Sequence, residues 1–231
     1  MIRIEKALNS EIEINKAEVL RYLGYKKNDI QNAPHSVIKE CIGKVTASAA
    51  YKACYDKFPI SLPGGSMLDL GFMSVSSKSL AKNLSCCNEI ILFTATIGIE
   101  TDRLIQKYSA LSPVYAVVLQ AVGAAAIESW CNELNFRFAE REQKNKHYLR
   151  PRFSPGYGDL PLNMQKDIFR VLDCSRKIGV TLTDSLMMLP TKSVSAIIGL
   201  SDCDSGCVPS GCESCKKTDC LFRRNVSEDG V

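Results

Sequence analysis

The stretch with the densest chemistry is Arg152-Phe153-Ser154-Pro155-Gly156-Tyr157-Gly158-Asp159, where a cation, a tight turn and an aromatic ring follow one another. Pro155 sets φ near the value a turn needs and Gly156 then permits φ > 0, so backbone donors and acceptors can face a ligand with no side chain between. Arg152 stands just before the turn, and its planar fork suits a carboxylate or a phosphate. Tyr157 offers a flat face to a cation or a heterocycle. The plainer alternative is a surface turn with a solvated arginine.

A second concentration lies at the end of the chain, where Cys203, Cys207, Cys212, Cys215 and Cys220 crowd into one short tail. Gly206, Pro209 and Gly211 between them let a short loop reverse direction, so the thiols can close around a metal. Both histidines, His35 and His147, are far away in sequence, and the expected ligand set is therefore all sulfur, holding zinc or an iron-sulfur cluster. Free or redox-paired thiols are the alternative. Nearby Lys216, Lys217, Arg223 and Arg224 form either a docking surface for an acidic electron donor or simply a solvated charged end.

The remaining cysteines, Cys41, Cys54, Cys86, Cys87, Cys131 and Cys174, sit in apolar segments as small hydrophobes. With 231 residues and 45% hydrophobic content, the chain supports one core plus an appendage: a domain over residues 1–200 and a cysteine-rich tail over 201–231. A net charge of +4, spread among 25 acidic residues, argues against nucleic acid as a partner. Charges in Met1-Ile2-Arg3-Ile4-Glu5-Lys6 interrupt any export signal, so a cytoplasmic location with reduced thiols is expected. The longest apolar run, Val114 to Ile127, is broken by Gln120 and falls short of the roughly 18 residues of a membrane span. It reads as a buried helix.

The elements that must position these groups follow in mixed order. Ile2/Ile4 and Ile12/Ile14 suggest edge strands, and Asn15-Lys16-Ala17-Glu18 caps a short helix closed by Gly24. Pro34 opens a helical pattern running to about Tyr55, and Ser66 to Ser76 reads as strand or hairpin. A brief helix over Ser77 to Leu84 leads into Glu89 to Thr96, the strongest strand signal and the expected centre of the sheet. Helices over Glu100 to Tyr108 and Val114 to about Glu142 follow, the second being the longest. Leu149 to Phe153 is extended, and Asn163 to Ser175 is helical up to a cap at Gly179. Val180 to Leu189 and Ser193 to Leu200 read as an antiparallel hairpin joined through Pro190-Thr191-Lys192. The expected class is α+β: a mixed, largely antiparallel sheet packed with helices.

Arg152-x-x-Pro155-Gly156-Tyr157, then Leu182-Thr183-Asp184-Ser185, then Pro190-x-x-Ser193-Val194-Ser195 resembles the activation domain of cobalamin-dependent methionine synthase. Arg21-Tyr22-Leu23-Gly24 resembles the free-standing members. The resemblance implies a domain that binds S-adenosylmethionine and offers its methyl group to a cobalamin that has slipped to cob(II)alamin, with an electron from a flavodoxin- or ferredoxin-type donor. It implies that Arg152 holds the methionyl carboxylate, that backbone groups of Ser154 and Gly156 meet the adenine, and that Tyr157 stands beside the reacting centre. Glu128, on the long helix, falls where the family places a carboxylate for the ligand's ammonium. The Asp-x-His-x-x-Gly pattern of corrinoid carriers is absent, so the cobalamin is expected on a partner, a methionine synthase or another corrinoid protein. The competing function is a non-catalytic metal-binding assembly factor for a corrinoid protein. Asp159, Asp184 and Ser185 receive no step.

Overall fold

The computed structural model describes residues 1–25 and 27–203. In chain order come β1 (Arg3–Lys6), α1 (Lys16–Tyr22), α2 (His35–Ser48), β2 (Lys52–Pro59), β3 (Ser61–Gly64), β4 (Met67–Asp69), β5 (Ser74–Ser76) and α3 (Lys78–Asn83). There follow β6 (Cys87–Thr96), α4 (Glu100–Leu111), α5 (Pro113–Gln143), β7 (Tyr148–Leu149), α6 (Gln165–Val171), α7 (Cys174–Ile178), β8 (Thr181–Leu182), β9 (Met188–Leu189) and β10 (Ser193–Ser201). The main sheet has the order β1-β2-β6-β10-β7 and every neighbour is antiparallel.

A strand that is apolar on both faces belongs where both faces are covered, and β6 takes the central place. Its period-two alternation sends Ile91, Phe93 and Ala95 into a core shared with α2, α4 and α5. Ile90 and Leu92 point the other way, into a second core with Leu80 of α3, Ile168 of α6 and Ile178 of α7. The expected α+β architecture is thus present, with a helical layer on each face of an antiparallel sheet.

The long helix α5 begins with Pro113 in its first turn, where the missing N–H costs nothing. By length and composition it could cross a membrane, but here Val118, Leu119, Val122, Ile127, Trp130, Leu134 and Phe138 are packed into the first core. Trp130 is fully buried on it and donates to the Lys52 carbonyl at 3.1 Å, which fixes α5 against β2. Asn15 caps α1 by accepting from the N–H groups of Ala17 and Glu18, and Ser77 caps α3 by accepting from Leu80.

Four expectations are corrected. The helix opened by Pro34 stops at Ser48, and Lys52–Pro59 is a strand. Tyr51 to Tyr55 fits a helical stripe taken alone, but eight residues of ladder with β6 and burial of Tyr55 and Cys54 on opposite faces outweigh that local preference. The helix over Asn163 to Ser175 is broken: Asp173 takes a left-handed conformation at φ 48° between α6 and α7, and the turn keeps Ile168, Leu172 and Cys174 all in the second core. Val180 to Leu189 does not pair with Ser193 to Leu200; β8 pairs with β9, while β10 pairs with β6 and β7. The link at Thr191 and Lys192 is tied instead to Asp102, which accepts from the Thr191 backbone at 2.7 Å, and to Ile97, which donates to the Lys192 carbonyl at 3.2 Å. Finally, Ile12 and Ile14 are buried but belong to no strand.

Candidate ligand-binding site

The loop that carries Arg152 is an edge extension of the sheet. The Arg150 N–H donates to the Gly199 carbonyl at 2.8 Å, and Phe153 and Ile197 exchange both backbone bonds at 2.9 and 2.8 Å. The turn then closes on itself. Tyr157 N–H donates to the Ser154 carbonyl at 3.2 Å, Gly156 N–H to the Leu160 carbonyl at 2.9 Å, and Leu160 N–H to the Tyr157 carbonyl at 3.0 Å. Gly156 sits at φ 88° and Gly158 at φ 56°, and a Cβ on Gly158 would lie 2.7 Å from Ser79 Oγ, so this second glycine is required by close approach to α3.

Asp159 makes that approach permanent. Its carboxylate accepts from the Ser77 hydroxyl at 2.6 Å and from the N–H groups of Lys78 at 2.7 Å and Ser79 at 3.0 Å. These donors, the Ser77 hydroxyl first, hold the Asp159 carboxyl well below the usual carboxylate range. The polar residue that sequence reasoning left without a role is therefore the latch between the loop and α3.

With the loop held in this way, the Arg152 side chain reaches α5. Its Nη2 donates to Glu128 Oε2 and to Asn132 Oδ1, both at 3.1 Å. Glu128 and Asn132 stand one helical turn apart on the same face, the spacing at which helix side chains meet a common partner. Arg152 Nη1 is buried and has no hydrogen-bond partner among the described residues. A buried guanidinium nitrogen left in that state is costly, and an incoming acceptor would satisfy it.

From the other side, α1 closes in. The Arg21 guanidinium stacks 4.3 Å over the Tyr22 ring, and burial followed by the nearby Glu128 carboxylate raises the Tyr22 phenol above its ordinary pKa. Between the segment leading into α1 and the exposed flank of α5 runs a groove of about 630 Å³, lined by Glu11, Glu13, Lys16, Ser129, Asn132 and Glu133 among others. Asn132 belongs both to this groove and to the Arg152 contact.

Of the residues picked out from sequence, Arg152 and Glu128 are brought into direct contact across 24 positions of chain. Ser154, Gly156 and Tyr157 share the adjoining turn. Tyr157 is 69% exposed, and its hydroxyl has no hydrogen-bond partner among the described residues. The Gly156 N–H is occupied by Leu160, whereas the Ser154 N–H has no backbone partner among the described residues. Asn132 was missed; its only sequence signal is its place four residues after Glu128 on an expected helix.

A family model described as "Vitamin B12 dependent methionine synthase, activation domain" matches residues 79–204, more than half of the chain and all of the loop, α5 and β10. The chain belongs to this activation-domain family. The crystal structure of the MetH reactivation domain bound to AdoHcy shares the fold, with a TM-score of 0.68 at 19% identity, covering 89% of this chain and 79% of that one.

In the activation domain the tail thiols divide. Cys203 is exposed just beyond β10. Cys207, Cys212, Cys215 and Cys220 lie outside the described residues. Among the described residues there is no group of three or more metal-binding side chains.

The Asp159 latch gives the activation domain a defined acid response. Because the folded-state pKa is depressed, the latch contributes fully above the ordinary carboxylate value of about 4 and is lost as pH falls below it toward the native value. Asp159→Asn is expected to lower the thermal midpoint at neutral pH, and the gap to the unmodified protein should narrow as pH is taken from about 5 to 3. A gap that stays constant over that range would show that the carboxylate charge is irrelevant to the latch.

Proposed function

We propose that this activation domain binds S-adenosylmethionine, with the methionyl carboxylate on Arg152 and the ammonium on Glu128, for use in the reactivation of a cobalamin carried by another protein or domain. The observation that carries the reading is the Arg152–Glu128 pair with its buried, unsatisfied Nη1. In the free protein these opposite charges neutralise each other. A zwitterionic amino acid presents the same two charges in reverse, so each side chain exchanges one ion-pair partner for another. Breaking a partly exposed pair of this kind costs on the order of 1 kcal/mol, little beside the new contacts.

The turn supplies the rest. The Ser154 N–H offers a donor for a heterocycle edge, Gly156 at φ 88° makes the turn that follows it, and exposed Tyr157 stands where it can meet the ligand's sulfonium or the docking partner. When bound, S-adenosylmethionine supplies an activated methyl group and the partner's cobalamin accepts it. The MetH relative, solved with AdoHcy, supports a ligand of this class. The reading places the protein in the cytoplasm, working with a methionine synthase or another corrinoid protein and a flavodoxin- or ferredoxin-type electron donor. Within it, four of the five thiols Cys203, Cys207, Cys212, Cys215 and Cys220 of the 201–231 tail hold zinc or an iron-sulfur cluster, which visible absorption tells apart.

Calorimetric titration with S-adenosylmethionine tests the proposal. Saturable binding at one site per chain is expected. Absence of heat, together with an unchanged melting temperature at millimolar ligand, would instead favour a non-catalytic metal-binding accessory factor.

A further inference from the structure

Arg152 has donors and no acceptor, so the amide of Asn132 must turn its oxygen toward it, as the 3.1 Å contact shows. The other arm of the amide, with two N–H donors, has no partner among the described residues and is left to the groove that Asn132 lines. The two acceptors on Arg152 Nη2 are not equivalent. Glu128 is a charge that a ligand ammonium would draw away, whereas Asn132 is neutral and has no reason to leave. Without Asn132, the guanidinium would lose its remaining anchor at the moment Glu128 turns to the ligand.

We infer that Asn132 is a positioning residue for the ligand's carboxylate: its carbonyl holds Arg152 in place during the exchange of ion-pair partners, and its N–H group donates to the same carboxylate. This rests on the reading of the ligand as S-adenosylmethionine. A preorganised arginine loses less side-chain freedom on binding, and the added donor distinguishes a carboxylate from a neutral or cationic tail.

The test compares the intact protein with Asn132→Asp and Asn132→Ala, each titrated with S-adenosylmethionine and with decarboxylated S-adenosylmethionine, which keeps the ammonium and sulfonium. Asn132→Asp keeps an acceptor for Arg152 but replaces the donor with a second anion. It is expected to weaken S-adenosylmethionine about tenfold or more, the scale of one charge-assisted contact, while binding the decarboxylated ligand at least as tightly as the unmodified protein. Asn132→Ala should weaken S-adenosylmethionine by roughly threefold to tenfold. Because Asn132 is exposed, both variants should melt close to the unmodified protein, so a loss of binding will not reflect unfolding. The inference is overturned if Asn132→Asp binds S-adenosylmethionine normally, or if it weakens both ligands alike. Failure of the unmodified protein to bind S-adenosylmethionine would remove the functional reading itself, and this role with it.

Discussion

Arg152→Ala is expected to weaken S-adenosylmethionine binding roughly a hundredfold or more, corresponding to about 3 kcal/mol for removing one partner of a desolvated charge pair. The side chain does three things at once: it faces Glu128, holds Asn132 and carries a buried nitrogen with no acceptor of its own. Alanine leaves the ligand carboxylate without a counter-charge and frees Glu128 to meet it with like charge. Arg152→Lys keeps the charge but not the fork, and should recover only part of the loss. The fold should survive, because Glu128 retains 29% exposure and can be solvated once unpaired. Calorimetry on the two variants, with melting curves alongside, checks this; an Arg152→Ala protein that binds as the parent does would end the proposed assignment of the site.

The second large effect is on stability. Trp130→Ala should cost about 3–5 kcal/mol, from loss of a fully buried aromatic and the cavity it leaves. The indole packs 5.9 Å from the Tyr51 ring, lies beneath the Arg137 guanidinium at 5.4 Å, and donates to the Lys52 carbonyl. That carbonyl would lose its partner as well. For a chain of this size the loss corresponds to a fall in melting temperature of about 10 °C, readable by scanning calorimetry. Trp130→Phe, which keeps the ring but not the donor, should lose much less. Since Trp130 stands two residues from Glu128 on α5, a loosened helix should weaken ligand binding too, and a variant that melts normally would show that α5 is held by other contacts.

How much of this was legible beforehand differs by element. Glu89 to Thr96 declared itself a central strand because it is apolar on both faces, and it occupies that place. The longest helix, expected from Val114, begins at Pro113, and Asn15 caps α1 as the Asn15-Lys16-Ala17-Glu18 pattern demands. These features depend on neighbours within one or two turns. Residues Tyr51 to Tyr55 misled, since a helical stripe and a half-buried strand can share the same short pattern, and only the presence of β6 alongside decides between them.

Sequence by itself determined the ingredients of the site: a fork-shaped cation before a glycine turn, a carboxylate on an amphipathic helix, and the ordered motifs that resemble the activation domain. The tertiary structure decided which of them meet. Arg152 touches Glu128 because β10 holds the loop at the sheet edge while Trp130 holds α5 against β2, and Asp159 earned its role only when α3 came within reach. Contacts of that kind arise from long-range strand pairing and burial, whose free energy belongs to the assembled layers and is written in no local stretch of chain.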